Sequence, residues 1–290
     1  MTPCDDLEAE NSGSIETSEV LEASGLAASR RHPGVVWTHN DSGETVLFAV
    51  GPDGEDLGRS AVPVDGFDIE GMALVDGVVY LADIGDNDER RDSIRVYRFD
   101  EPAPGRDVEG PVDVIELRYP DRARDAEAFL VDPTSGDLVM IEKAFRLGGA
   151  GLLSPAPAAV FAASPPFDGG AIELRQAGTV ALDVLAGQTT GSMPADALPA
   201  QLGLGGLATG ADVRADGAVI AVRTYATVWL FARAEGQTIA DALGSVPCEA
   251  PTRPEAQGEA IAFVADGTNG FMTVSEGRNP DLNLVSTRQR

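Results

Sequence analysis

Short runs of apolar residues, alternating or continuous, recur along the chain between stretches rich in Gly, Pro, Asp and Asn, and helical periodicity is scarce. This punctuation predicts β-strands joined by tight turns. Five segments align with one another: SGLAASRRHPGVVWTHNDSG from Ser24, EGMALVDGVVYLADIGDN from Glu70, EAFLVDPTSGDLVMIEKAF from Glu127, TGADVRADGAVIAVRTY from Thr209 and EAIAFVADGTNGFMTVSEG from Glu259. Each reads as a strand, an Asp- and Gly-rich turn, and a second apolar strand ending in polar residues. A third strand usually follows (TVLFAV, SIRVYRF, AAVFAA, TVWLFAR), and then a more polar fourth, as in VDVIELRYP and AIELRQAGTVAL.

Four strands per unit, with unit heads about 45 to 80 residues apart, predict an all-β, five-bladed β-propeller. The propeller is expected over residues 14–290, behind a tail at 1–13. The last unit runs out of chain after NLVSTRQ, whereas SIETSEVLE, Ser14 to Glu22, has no blade of its own. Pairing the two would close the ring and remove an exposed edge. A pair of β-sandwiches is the competing architecture, but it would not need matched residues at the head of every repeat. The segment 180–206, with LAGQTTGSMPADALPAQLGLGG, reads as a surface insertion.

Charge narrows the partners. The chain has 290 residues, with 47 Asp and Glu against 21 Lys and Arg, a formal net charge of −26. Such a surface repels phosphate backbones and anionic lipid heads, which argues against nucleic-acid and membrane binding. No apolar run reaches the roughly 20 residues of a spanning helix. A monomer is expected. The two cysteines, Cys4 and Cys248, are expected to pair, tying the N-terminal tail to the chain just before the last repeat. That places the protein in an oxidising compartment: secreted, periplasmic or at the cell surface. Two free thiols in a cytosolic protein are the plainer alternative.

In a propeller the first strand of each blade lines the central channel. The heads of the five repeats, Ser24, Glu70, Glu127, Thr209 and Glu259, would then converge near one mouth. Like charges that close must be protonated, hydrated or neutralised by a cation. Three carboxylates and two hydroxyls suit calcium, which takes about 6 to 8 oxygen ligands, whereas zinc would call for His or Cys. Alternatively the carboxylates bond to backbone amides of neighbouring blades and bind nothing. Asp212 is out of phase with Thr209 and is expected to brace the backbone.

The second strands end on the same face, bringing Asn40, Asp41, Asp83, Asp86, Asn87, Glu142, Lys143, Arg223, Tyr225 and Glu276 into play. Of these, Asp41, Asp83, Asp86, Lys143, Arg223 and Glu276 are the catalytic candidates: acids to orient water or a second cation, bases to hold an anion. For Lys143, the only lysine, the plainer reading is an ion pair with Glu142 or another carboxylate. HNDSG and IGDN are also what tight turns demand. His32 lies in a turn and His39 lacks a serine partner, which argues against a Ser-His-Asp hydrolase. Trp37 and Trp229 read as packing, and Tyr225 could stack on a ligand ring.

The order Ser, Glu, Glu, hydroxyl, Glu at successive heads, with THNDSG in the first unit and GFDIEGMALVDGVVYLADIG in the second, resembles the calcium-activated nucleotidases (apyrases), five-bladed propellers with a central calcium. DIGDN and RDAEA are also similar to secreted bacterial propellers and, more distantly, to phytase-like ones. The resemblance implies that Ser24, Glu70, Glu127, Thr209 and Glu259 hold the ion. It departs at the phosphate-binding positions, where Lys143 and Arg223 stand but the second unit offers the acidic Ile84 to Asn87. Two functions follow as expectations. One is a Ca²⁺-dependent hydrolase of phosphate esters, anhydrides or lactones. The other is a non-catalytic module binding a small molecule, glycan or protein at the same mouth.

Overall fold

The computed structural model describes residues 2–147 and 153–288. Its strands form five blades around one axis. Blade one contains β2 (Ala23–Ala28), β3 (Val36–Asn40), β4 (Val46–Val50) and β5 (Asp56–Ala61). Blade two contains β6 (Ile69–Val75), β7 (Val78–Asp83), β8 (Ile94–Asp100) and β9 (Asp113–Arg118). Blade three is built from β10 (Ala126–Val131), β11 (Leu138–Glu142), β14 (Ala158–Ala163) and β16 (Arg175–Val180), with a hairpin of β12 (Phe145–Leu147) and β13 (Leu153–Pro155) beside it. Blade four contains β17 (Ala208–Val213), β18 (Val219–Thr224), β19 (Val228–Ala232) and β20 (Cys248–Ala250). Blade five contains β21 (Gly258–Phe263), β22 (Phe271–Ser275) and β23 (Asp281–Thr287).

The ring closes through β1 (Leu7–Ser14), antiparallel to β23 from Leu7 opposite Thr287 to Ser14 opposite Asp281. Closure by an N-terminal strand is as expected, but the strand lies earlier than Ser14–Glu22. Ile15 and Val20 in that later stretch are fully buried as irregular chain in the core shared by blades one and five. Cys4 and Cys248 form a disulfide, with Cα atoms 6.1 Å apart, that fastens the approach to β1 onto β20.

Burial follows strand order. Inner and middle strands such as β10, β11 and β14 are buried throughout, because each is covered by the neighbouring blade on both faces. Outer strands such as β5, β9 and β16 are largely exposed. Five apolar clusters fill the five blade interfaces, one each. Trp37 lies in the cluster between blades one and two, and Trp229 in that between three and four. The predicted strand AIELRQAGTVAL is split. β15 (Ile172–Glu173) adds in parallel to β9 of blade two, and only β16 belongs to blade three.

The 180–206 insertion carries two short helices, α1 (Leu182–Ala186) and α2 (Leu198–Leu202); a third, α3 (Ile239–Leu243), follows β19. Glu249, on β20, accepts hydrogen bonds from Thr190 N and Oγ1 and from Gly191 N, and so clamps the insertion to blade four.

Candidate metal centre

Each inner strand carries a β-bulge, and the extra residue of the bulge is the repeat head. The register slips between Ala23 and Gly25, Ile69 and Gly71, Ala126 and Ala128, Ala208 and Gly210, and Gly258 and Ala260. The residues skipped are Ser24, Glu70, Glu127, Thr209 and Glu259. A bulge re-aims the side chain it carries, and five equivalent bulges gather these five side chains around the axis. All five are at most 6% exposed.

The residue after each head is Gly or Ala because the inner strands crowd together. A Cβ on Gly71 would lie 2.6 Å from Phe129 Cβ, and one on Gly210 would lie 2.6 Å from the Glu259 carbonyl oxygen. The channel beside Ser24, Glu70 and Glu127 narrows to a cavity of about 10 Å³. That is room for a water-sized particle, so no organic ligand fits inside the channel at this level.

The heads are not equivalent in their partners. The Ser24 hydroxyl donates to Glu70 Oε2 at 3.1 Å. Thr209 Oγ1 donates to the Gly258 carbonyl at 2.7 Å. Lys143 Nζ donates to Glu127 Oε1 and lies 5.3 Å from the centre of the Tyr225 ring. Gln257 Nε2 links Glu259 Oε1, at 3.0 Å, to Glu276 Oε2. The plainer reading of Lys143 is therefore met: it pairs with a neighbouring carboxylate, that of Glu127. Glu142 takes Arg122 and Arg124 instead.

Burial dominates the electrostatics. It lifts Glu70 well above the usual carboxylate range, helped by Glu127 and Asp68. Glu127 is pushed to about 8 by burial, against the pull of Lys143. Glu259 is raised well above its ordinary value by burial and then by Glu127. At the rim, burial and a hydrogen bond with Glu22 bring Asp41 to about 7. Carboxylates in this state need protons or a cation. Glu127 Oε2 is buried without a hydrogen-bond partner. These residues, oxygen donors throughout, fit calcium.

The other second-strand ends divide. Asp83 is fully buried; it accepts from Phe67 N, Asp68 N and Tyr97 OH and pairs with Arg91 at 2.7 Å. Asp86 is buried and accepts from Arg91 N. Arg223, 1% exposed, pairs with Glu255 at 2.8 Å across blades four and five. Asn40 braces a turn, accepting from Leu21 N and Glu22 N. Asn87 is exposed. Asp212 accepts from Val213 N and Phe263 N, bracing the backbone as expected. The rim that remains open contains Asp41, Asp68 and Glu276, all half-buried. Asp68 was not among the expected residues. Its signal is Gly85 of IGDN, where a Cβ would lie 2.4 Å from Asp68 Oδ2.

No family model matches the chain. No curated protein sequence matches it either. Solved structures do. A carbohydrate-active enzyme of family AA12 from Trichoderma reesei, in its iodide and calcium structures, aligns with a TM-score of 0.54 at 11% and 10% identity, covering 98% of this chain and 96% of that one. A gluconolactonase from Xanthomonas campestris aligns with a TM-score of 0.50 at 12% identity, covering 98% of this chain and 91% of that one. At such identities the likeness establishes the β-propeller fold alone. No helix among the described residues is long and apolar enough to cross a membrane.

Proposed function

We propose that this chain is an exported calcium-binding propeller that acts as a metal-dependent hydrolase, with its substrate at the channel mouth. The charge balance of the channel carries this reading: Glu70, Glu127 and Glu259 share it with one ammonium, that of Lys143. A surplus of buried carboxylate oxygen is the environment calcium satisfies. Bound there, calcium would polarise a substrate carbonyl or phosphoryl oxygen. Glu276, whose carboxyl is raised by burial and by Glu22, is the rim group suited to take a proton from attacking water. The Cys4–Cys248 bridge supports export to an oxidising compartment.

Among the expected substrate classes, the mouth favours uncharged lactones over phosphate esters and anhydrides. The basic groups that would hold a phosphate are engaged: Lys143 with Glu127, Arg223 with Glu255 and Arg91 with Asp83. The resemblance to nucleotidases is weakest at phosphate binding, where these basic groups are already paired. A gluconolactonase of similar fold agrees with the lactone class. The second reading is a non-catalytic module for a small molecule, glycan or protein; buried His39 lays Nε2 against Gly25 in the core, so no imidazole among the described residues stands at the mouth to activate a nucleophile.

The test is calcium titration followed by a lactone, ester and phosphoanhydride panel with and without EDTA. Calcium-dependent turnover that disappears in Glu276→Gln, with folding intact, supports the hydrolase. Calcium stabilisation without turnover leaves the binding module. No calcium stabilisation overturns both.

A further inference from the structure

We infer that the cation sits off the axis, over blades one and two, held by Asp41, Asp68 and Glu70, and that Lys143 is the built-in counter-charge of the opposite side. This rests on the calcium reading above and assigns its ligands. The five bulge residues alone would predict an ion on the axis.

Asp41, Asp68 and Glu70 each offer a carboxylate oxygen, and the three oxygens lie within 4.8 Å of one another. Ligands that sit about 2.3–2.6 Å from one calcium are separated by no more than about 5 Å, so the trio matches one coordination sphere. A second observation lies next to the trio, in the cavity that Glu70 also lines. Glu127, 4% exposed, lines the cavity it shares with Ser24 and Glu70 and leaves Oε2 without a partner. Asp41 Oδ1 is also buried and unpartnered. Buried polar atoms seldom go unpaired in a native protein, and a cation among these groups would satisfy them.

The two sides of the mouth differ in what the protein itself supplies. On the side of blades three to five, Lys143 serves Oε1 of Glu127 and leaves Oε2 to the cavity, and Gln257 joins Glu259 to Glu276. On the side of blades one and two, no described Lys or Arg forms an ion pair with Asp41, Asp68 or Glu70; Arg91, the nearby guanidinium, is bound to Asp83.

The local chain is shaped around this trio. Ser24 holds Glu70 by one oxygen. Gly85 leaves room for both acids, since a Cβ there would lie 2.4 Å from Asp68 Oδ2 and 2.9 Å from Glu70 Cγ. Asp83 accepts the amides of Phe67 and Asp68, which makes it a positioning residue for the loop that presents Asp68.

The experiment is calorimetric titration of the full chain with calcium, paired with thermal unfolding, on the wild type, Asp68→Asn, Asp41→Asn and Glu259→Gln. Loss of a carboxylate ligand should weaken binding at least about tenfold, since even groups behind the ligands are worth that much. Asp68→Asn and Asp41→Asn are expected to show this, with calcium-free unfolding temperatures at or above the wild type. Glu259→Gln, which removes a channel charge but no carboxylate of the trio, is expected to weaken calcium binding clearly less than either aspartate variant. Should either aspartate variant fold poorly, the other carries the comparison. Equal loss in Glu259→Gln, or none in the aspartate variants, places the ion on the axis and overturns the inference while leaving the calcium reading intact. A wild-type chain without calcium heat or stabilisation overturns both.

Discussion

Lys143 donates its ammonium to Glu127 inside the channel, each side chain largely buried at 13% and 6% exposure. The sole lysine of the chain thus stands where three glutamates meet. Burial alone would lower its proton affinity, but Glu127 more than offsets that and the ammonium is held more firmly than usual.

Lys143→Met should therefore destabilise the calcium-free protein by about 3–5 kcal/mol, the cost of breaking a buried pair from one side. Calcium should recover part of the loss. Urea unfolding of both proteins, with EDTA and with calcium, reads this out. An unchanged calcium-free stability would show that Glu127 is protonated and needs no partner.

Glu255→Ala should be among the most damaging single changes. Its carboxylate accepts from Arg223 Nη2 at 2.8 Å, Thr273 Oγ1 at 2.6 Å and Asn283 Nδ2 at 2.8 Å, joining blade four to both middle strands, β22 and β23, of the closing sheet. The substitution leaves a buried guanidinium without counter-charge, again about 3–5 kcal/mol. Denaturant midpoints with unchanged slope would confirm a pure stability effect.

Reduction of the Cys4–Cys248 bridge, or Cys248→Ser, should cost about 2–5 kcal/mol, as for native disulfides elsewhere. The bridge spans 244 positions and anchors the closing strand. Guanidinium unfolding with and without reductant measures the difference, and hydrogen exchange should place the first loosening at β1.

Acid should release the insertion before it unfolds the blades. Burial opposes ionisation of Glu249, but hydrogen bonds from Thr189, Thr190 and Gly191 prevail and bring its pKa to about 2. A folded-state value below the ordinary 4.5 means the clamp contributes fully above that pH and fades as pH falls toward 2. Amide exchange at Thr190 and Gly191 should accelerate selectively across this window. Glu249→Ala should show the same acceleration at neutral pH.

The five blades were legible because each head is a polar residue followed by Gly or Ala, and that pair is the trace of a bulge beside a crowded axis. The closing strand was misplaced for a physical reason. LEAENSGS is an edge strand with no fully buried residue, so its sequence lacks an apolar face. Ile15 and Val20 supply an apolar signal just downstream, but as core plugs outside any strand. Asp83 and Arg223 read as mouth residues because strand ends mark a level along the axis. Sequence spacing does not reveal that Arg91 and Glu255 cover them. Asp68 was hidden in the opposite way, since an Asp two residues before a strand head looks like turn chemistry.

The seam between β1 and β23 joins the first strand of the ring to its last. On a ribosome, Leu7 would have to wait for Thr287 before finding its place. Until then blade five lacks its outer strand, and the N-terminal segment is unanchored. Such long-range pairing slows folding, so the ring cannot close before β23 has been made.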